Sequence, residues 1–543
     1  MTTQLPGKFR FAARDIIGYA DAQQDHEILG KCFVDTGDIT ALLDCSDPRC
    51  VVLGRTGAGK TALLSRLRSQ ADRVLDIPPE SLALSHISNS NILTFLSQLG
   101  IDLDPFFKLL WRHVFVVEIL KRHFEINTEV AKISFLDSLK NKLRGKQHIH
   151  ALQYLEEWGE KFWEETDYRI TEIITKFEAD IKASVGAKVG VASLNAEGAT
   201  KLSTEEKGEV KQRVQHVINR VQINQLASVI ETLNDLLTDR QKHYYIIIDR
   251  LDEKWVEDKI RYQLIRALIE AVKDFSNIRQ VKIIVALRLD LIERVYQLTA
   301  NSGFQEEKYH SLQLDIKWSR SQLTQLIDVR VDRLVKSRYT GQSVTHRDIL
   351  PKNIGNQHAM DYMLDRTMNR PRDIIDFFNR CISLAADNPK IDAEIVKKAE
   401  VDYSINRIRA LHFEWSSDYP SLLQFIDVLK KRPTSFSLTE ITDEDLSLFC
   451  LQLAVDGLEP EGPLAMMALD VANEQKPSSE FRSFLLSVFY RIGLIGWKLS
   501  ANETVVWSFD GRRTISDNEI VPQTRIYIHP CAWRALGCIR KGD

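Results

Sequence analysis

The segment Gly-Arg-Thr-Gly-Ala-Gly-Lys-Thr at residues 54–61 constrains the fold of this chain most, because it fills every fixed position of the pattern G-x-x-x-x-G-K-[ST]. A short apolar run at residues 51–53 precedes it, and apolar residues at helical spacing follow it at positions 62–67. A strand, a glycine-rich loop and a helix in this order favour a phosphate-binding loop. The glycines let successive backbone N–H groups, and the positive end of the helix, face an anion.

The chemistry expected of this loop is the binding of ATP with Mg²⁺. Lys60 is expected to reach the β- and γ-phosphates, and the Thr61 hydroxyl is expected to hold the metal ion. The predicted nucleotide-binding residues are those of the whole segment: Gly54, Arg55, Thr56, Gly57, Ala58, Gly59, Lys60 and Thr61.

A second part of the expected site follows the apolar run at residues 244–248. Such a run is typical of a strand buried on both faces of a parallel sheet, and ligands in this class of fold bind at the carboxyl ends of strands. Asp249 is therefore the predicted second magnesium ligand. In the commonest ATPase arrangement an acid follows directly, but Arg250 stands there. The general base stays open between Asp252 and Glu253, with a slight preference for Glu253.

Two further apolar runs predict strands at residues 73–77 and 281–287, the first ended by prolines and the second by Arg288. If the strands are parallel, the phosphate loop, Asp249 and Arg288 lie at one rim of the sheet.

The chain of 543 residues is too long for one core, and we expect about two to four domains. The predicted fold class is an α/β P-loop NTPase core with a large helical insertion, a helical lid and a C-terminal winged-helix domain, mainly α overall. The predicted divisions are 1–80 and 241–310 for the two halves of the core, 81–240 for the insertion, 311–400 for the lid and 401–543 for the C-terminal part.

About 160 residues separate the second predicted strand from residue 244, far more than one crossover needs. Small residues at 183–208 predict a flexible linker or hairpin between two long helices. The insertion is expected either to pad the core or to sense a partner, and residue chemistry does not decide between these alternatives.

Toward the C-terminus, residues 312–334 and 360–384 are predicted to be helical, and Pro371 suits the start of a helix. A helix entering a strand across residues 484–497, strands at 505–509 and 525–529 and a closing helical turn predict a winged-helix module.

Composition favours a protein of the cytoplasm. The N-terminus lacks the apolar core of a signal peptide, no run of 18 apolar residues predicts a membrane span, and seven scattered cysteines without a C-x-x-C pair are typical of a reducing compartment. The net charge of −3 does not indicate a dedicated nucleic-acid binder, although a local basic patch stays open.

Four segments together resemble bacterial P-loop ATPases near the KAP and STAND groups of the AAA-like class. They are GRTGAGKT at 54–61, IIIDRLDE at 246–253, the strand ending in Arg288, and NRPRD at 369–373. The resemblance implies an ATPase core with a helical lid and a winged helix. The string IDRLDE looks like the KAP-type IDDLDR, with Asp249 and Asp252 matching and Arg250 departing.

The same resemblance assigns roles to three arginines. Arg370 or Arg372 occupies the sensor-2 position and is expected to touch the γ-phosphate, and Arg288 resembles a sensor-1 replacement. The alternative for each arginine is an ion pair with a neighbouring acid, namely Asp290, Asp373 or Asp376.

Three functions follow as expectations. The first is a slow regulatory ATPase, assembling as a homo-oligomer and acting with a separate effector protein in a prokaryotic anti-phage defence system, as the resemblance implies. The second is a DNA-associated ATPase, a loader or repair factor whose winged helix contacts DNA. The third is a small-molecule kinase, which is weakest because kinases of that class are compact. The C-terminal basic residues are spread among acids, which favours contact with protein over contact with DNA.

Overall fold

The structure is a computed structural model that describes residues 9–79, 91–125, 137, 166–189, 199, 202–221, 224–253, 258–299, 306–336, 343–511, 515, 519–521 and 524–539. The chain divides into two compact units. Residues 35–55 and 60–316 form one, which we call the sheet unit. Residues 1–34, 56–59 and 317–543 form the other, which we call the helical unit.

The sheet unit contains five parallel strands in the order β2, β3, β4, β1, β5. Their bounds are β1 Val51–Gly54, β2 Val74–Asp76, β3 Tyr244–Ile248, β4 Val281–Arg288 and β5 Gln313–Asp315. β1 and β3 are buried throughout, as apolar strands between helices require. The predicted combination of a parallel sheet with extensive helical regions is confirmed.

The register brings three strand ends to one edge of this sheet. Gly54 of β1 pairs with Arg288 of β4, and Ile248 of β3 pairs with Val285 of β4. Because all these strands run in the same direction, the loop after Gly54, Asp249 after Ile248, and Arg288 lie on the same side.

The helices of the sheet unit include the one that follows the glycine-rich loop and two that pack closely together, Asp104–Phe124 and Asp258–Phe275. The helices are Asp38–Leu43, Lys60–Gln70, Asn91–Gln98, Asp104–Phe124, Thr166–Val189, Thr204–Val221, Asn224–Leu236, Asp258–Phe275 and Leu289–Thr299.

The prediction of a flexible linker or hairpin at residues 183–208 is wrong at both ends of that range. The helix Thr166–Val189 continues through its first residues, and the helix Thr204–Val221 begins before its last. Val185 and Val214 are buried in one apolar cluster, and Arg213 Nη1 donates to the carbonyl of Ser184 at 2.7 Å. Packing between the two helices therefore extends them into the small-residue segment. Residues 190–198, 200 and 201 lie outside the described part.

The prediction of a helix at residues 312–334 is also wrong for the first residues of that range. Glu306–Leu312 is a 3₁₀ helix, Gln313–Asp315 forms β5, and the α-helix begins only at Arg320. Leu314 pairs with Val52 of β1 and is buried. Pairing with the open edge of β1 outweighs the weak local helical pattern.

The helical unit begins its C-terminal part with the helix Arg320–Lys336, and a small β6–β7 hairpin, Asn353–Ile354 and Gln357–His358, precedes the helix Ala359–Leu364. As predicted, Pro371 is the first residue of its helix. The helices are His26–Cys32, Arg320–Lys336, His346–Ile349, Ala359–Leu364, Pro371–Leu384, Ala393–Trp415, Leu422–Ile426, Asp443–Val455, Gly462–Ala472, Ser478–Arg491 and Trp533–Leu536.

Three strands form an antiparallel sheet in the order β8, β10, β9, with bounds Ser435–Ser437, Arg525–Ile528 and Ile495–Lys498. The predicted order of helix, strand and second strand is present, and the name winged helix stays a prediction. The strand predicted at residues 505–509 is wrong. Val506 forms only an isolated bridge with Trp497, and the chain then enters a 3₁₀ turn whose Ser508 hydroxyl donates to the carbonyl of Arg491.

Candidate functional site

The glycine-rich segment connects β1 to a helix that begins at Lys60. Gly57 and Gly59 have φ values of +79° and +100°, in the left-handed region that glycine adopts readily. The segment thus has the local conformation that lets backbone N–H groups turn toward an anion.

Lys60 lies at the carboxyl edge of the sheet unit. Its Nζ donates to the carbonyls of Gly54 at 2.8 Å and Arg55 at 3.3 Å. Burial lowers the pKa of Lys60 to about 8, although the negative charges of Asp252 and Asp249 act to raise it. Lys60 is therefore within electrostatic reach of Asp249 and Asp252. Thr61 is the next residue of the same helix.

Asp249 follows β3 and is half-buried. Burial raises the pKa of its carboxyl group, while a hydrogen bond from the backbone N–H of Arg250 at 2.9 Å and the charge of Lys60 act to lower it. A partly desolvated carboxylate is a suitable ligand for a hard cation such as Mg²⁺.

The turn after Asp249 separates the two candidate bases. Arg250 has a φ of +62°, and its carbonyl accepts from the backbone N–H of Glu253 at 3.1 Å. The side chain of Glu253 pairs with Arg250 on the exposed surface at 3.8 Å. Asp252 instead lies 3.7 Å from Nη1 of Arg288. Both carboxylates are exposed, but Asp252 lies beside Arg288 whereas Glu253 pairs with Arg250.

Arg288 ends β4 and makes a two-point ion pair with Asp290. Its Nε and Nη2 donate to Oδ1 and Oδ2 of that carboxylate at 3.0 and 2.8 Å. The ion pair considered as an alternative for Arg288 is therefore present, and the residue also remains close to Asp252.

Residues 56–59 belong to the helical unit. The backbone carbonyls of three successive residues in this segment accept hydrogen bonds from donors that are far away in the chain. Arg370 Nη1 donates to the carbonyl of Thr56 at 3.0 Å, and the backbone N–H of Arg372 donates to that of Gly57 at 3.5 Å. The indole Nε1 of Trp318 donates to the carbonyl of Ala58 at 2.8 Å. With its carbonyls held in this way, the loop keeps a defined conformation. The role of Trp318 was missed from the sequence, which carries no local signal for it.

Arg370 belongs to a closed ring of buried charges. Its Nε lies 2.9 Å from Asp373 and its Nη1 lies 3.2 Å from Glu414, while Arg407 contacts the same two acids at 2.9 and 3.1 Å. Burial acts to lower the pKa of Arg370, but Asp373 and Glu414 outweigh it and raise that pKa above its usual range. The ring fixes the guanidinium of Arg370 against the loop carbonyl, so the ion-pair alternative is the one that the structure shows.

Arg372 lies beside Gly57, where a Cβ on the glycine would come within 2.9 Å of the Cβ of Arg372. Only glycine fits this approach without movement. The Nε of Arg372 donates to the carbonyl of Ala20 at 3.2 Å. Burial, together with the charge of Arg370, lowers the pKa of Arg372.

The residues of the segment fit a polyphosphate. The hydroxyl of Thr56 is buried with no hydrogen-bond partner among the described residues, which leaves a polar atom available to a ligand. Within the described ranges, no cluster of three or more His, Cys, Asp and Glu side chains is arranged to hold a metal. Mg²⁺ at Thr61 and Asp249 would therefore take its other ligands from phosphate and water.

Comparisons with known proteins give one family model and one distant relative. Residues 321–412 match the family model of a FunZ-associated C-terminal helical domain, a range that includes Arg370, Arg372 and Arg407. The chain is also 21% identical over 558 residues to an 80.3 kDa protein of Escherichia coli (strain K12) ascribed to transposon gamma-delta. That alignment covers 96% of this chain and 67% of the E. coli protein. No solved structure matches the chain.

Among the described residues, no helix is both long and apolar enough to span a membrane.

Proposed function

We propose that this chain is a regulatory ATPase that binds ATP with Mg²⁺ at residues 54–61 and hydrolyses it slowly. One observation carries the proposal: the parallel register brings Lys60, Asp249, Asp252 and Arg288 to one edge of the sheet, directly after a glycine-rich loop. Ligands of parallel α/β sheets bind at this edge.

Each residue has a role in the proposal. Lys60 neutralises phosphate oxygens, and Thr61 and Asp249 hold Mg²⁺, which supplies further positive charge to the phosphates when bound. Asp252 accepts a proton from the attacking water, because its carboxylate lies 3.7 Å from Arg288 at the edge of the sheet, whereas Glu253 pairs with Arg250. Arg288 lies where it stabilises negative charge that develops during transfer.

The direct test compares Lys60→Ala with Lys242→Ala, an exposed lysine of the same unit that pairs only with Asp239 in the described structure. Calorimetry should show loss of ATP binding for Lys60→Ala and wild-type affinity for Lys242→Ala. Asp249→Asn should keep ATP binding and lose Mg²⁺-dependent turnover. Wild-type ATP affinity in a folded Lys60→Ala protein would overturn the proposal.

The cellular role that we propose is an ATP-dependent switch or assembly platform. It is supported by the resemblance to ATPases of the KAP and STAND groups, which implies a prokaryotic anti-phage defence system with a homo-oligomeric ATPase and a separate effector protein. In the described residues, Arg370 connects the loop carbonyl of Thr56 to a ring of charges on two helices of the helical unit. Such a connection is suited to transmitting a conformational change of the loop to these two helices.

A second candidate is a DNA-associated ATPase, a loader or repair factor, with the C-terminal module contacting DNA. It is favoured by one observation, the similarity to a protein ascribed to a transposon, which is a mobile piece of DNA. Assembly on ATP and binding to DNA separate the two candidates, and the measurement is given in the Discussion.

A further inference from the structure

The helix Asp443–Val455 carries apolar side chains on its solvent face. Its buried residues are Leu446 and Cys450 only, yet Leu448, Leu451 and Val455 are also apolar and are 60%, 50% and 75% exposed. The outward face of a surface helix is normally polar. The outward face of this helix is therefore not an ordinary solvated surface.

The exposed residues lie on one face because their positions differ by three, four and seven. On the next helix, Gly462–Ala472, which packs against the first, Met466 is 57% exposed. The three side chains of the first helix leave on the order of 300 Å² of contiguous apolar surface, the size of the largest apolar patch on a typical monomer, which is often functional. We call Leu448, Leu451 and Val455 the apolar stripe.

The segment that carries the apolar stripe is strongly acidic, although Arg432 lies within electrostatic reach of Asp445. Residues 443–475 contain no lysine or arginine and eight carboxylates, namely Asp443, Glu444, Asp445, Asp456, Glu459, Glu461, Asp470 and Glu474. Arg482 and Lys476, both outside this segment, pair with Asp443 and Asp470 at 3.0 Å each. In the part of the chain that the structure describes, Glu444, Glu459 and Glu461 are exposed and have no ion pair. Negative charge thus stands near both ends of the stripe.

We propose that the apolar stripe is a docking surface for an amphipathic helix of a partner protein, one whose apolar face is flanked by lysines or arginines. An apolar face fits the stripe, and basic flanks complement the carboxylates. The same charge argues against other occupants: a second copy of this chain brings the same carboxylates, and DNA and anionic membranes are repelled. This surface is independent of the proposed nucleotide site.

The test uses the full chain and a fluorescein-labelled amphipathic helical peptide made of leucine and lysine. Fluorescence anisotropy should show that the wild type binds the peptide. The triple variant Leu448→Ser, Leu451→Ser, Val455→Ser should bind it with an affinity about tenfold or more lower. The control variant Val401→Ser, Ile405→Ser, Phe413→Ser removes three exposed apolar residues of another helix and should bind as the wild type does. All these side chains are substantially exposed, so both variants should fold, which circular dichroism checks.

Charge is tested separately. The variant Glu444→Gln, Glu459→Gln, Glu461→Gln should bind the peptide several-fold more weakly and with a smaller dependence on salt. A peptide of leucine and glutamate, and a scrambled leucine–lysine peptide, should not bind.

Three results would overturn the proposal. The first is equal binding of the peptide, or of its scrambled form, to the apolar-stripe variant. The second is a dimer in light scattering that this variant converts to a monomer, which assigns the surface to a second copy. The third is retention on vesicles of phosphatidylcholine and phosphatidylserine that this variant abolishes, which assigns it to a membrane.

Discussion

Asp252 and Glu253 are neighbours in the chain but have different partners in the structure. Asp252 faces Arg288 and acts on the pKa of Lys60, whereas Glu253 pairs with Arg250 at an exposed turn. Sequence reasoning slightly preferred Glu253 as the base, and the geometry favours Asp252.

At this scale we predict that Asp252→Asn lowers ATP turnover by about 100-fold or more while leaving ATP affinity within a few-fold of wild type, because a general base acts only on the attacking water. Glu253→Gln serves as the matched control and should keep most of the turnover. Phosphate release under saturating ATP-Mg²⁺ measures both. If Glu253→Gln lost ATP turnover and Asp252→Asn kept it, the general base would be Glu253.

A second residue-scale prediction concerns pH. Burial lowers the pKa of Lys60 to about 8 in the free protein, and a bound polyphosphate should raise it, because the anion stabilises the ammonium form. Below pH 8 Lys60 is charged in both states. Above pH 8 Lys60 is mostly neutral in the free protein, so it must take up a proton when ATP binds. The affinity for ATP should therefore fall by up to about tenfold per pH unit.

Titration calorimetry between pH 7 and 9.5 in buffers of different ionisation enthalpy measures both the affinity and the proton uptake. The Lys60→Arg variant binds more weakly but keeps its charge over this range, so its affinity should be nearly constant. A wild-type affinity that is equally constant would contradict the assigned pKa.

At the scale of elements, the glycine-rich segment is held through its carbonyls. Trp318 Nε1 donates to Ala58, and Arg370 donates to Thr56 from within a ring of four buried charges. These donors bond the carbonyl groups of the loop and so fix its conformation. In this structure Arg370 bonds the loop carbonyl of Thr56. The sequence resemblance implied that Arg370 or Arg372 touches the γ-phosphate, and that contact stays a prediction.

Trp318→Phe keeps the ring and removes the donor. We predict about fivefold weaker ATP binding, since one hydrogen bond contributes about 1 kcal/mol and its loss loosens the loop. Trp533 offers a matched control, because its Nε1 makes a comparable bond to the carbonyl of Ile528 at 2.7 Å, away from the loop. Trp533→Phe should lower the melting temperature to a similar degree and leave ATP affinity unchanged. Equal effects of the two variants on ATP affinity would show that Trp318 has only a general structural role.

For the whole molecule, we predict that ATP promotes self-association or assembly with a partner and does not drive movement on DNA. The net charge of −3 gives no overall attraction to DNA. ATP can shift assembly only by its differential affinity for the assembled state, and a coupling of about 1–3 kcal/mol is typical.

Light scattering with and without ATP-Mg²⁺ measures this association, and Lys60→Ala should not respond to ATP. A parallel DNA-binding assay across a salt titration tests the second candidate. ATPase activity stimulated by DNA, steep salt dependence and no effect of ATP on mass would favour the DNA-associated function.

The sequence by itself determined the local parts of this protein. The strands β1, β3 and β4, the helix after the glycine-rich loop and the helix start at Pro371 were predicted because each depends on periodicity or on fixed spacing within about 20 residues. Parallel strands also allowed the convergence of residues 54–61, Asp249 and Arg288 at one edge to be predicted.

Only the tertiary structure decided which partners these residues have. β5 forms because Leu314 pairs with Val52, and the ring around Arg370 needs Glu414, 44 positions away in the chain. Trp318 reaches Ala58 across 260 positions. Contacts between such distant residues depend on how whole elements pack: burial lowers the pKa of Lys60, and the end of β4 brings Arg288 beside Asp252. No local pattern in the sequence encodes either one.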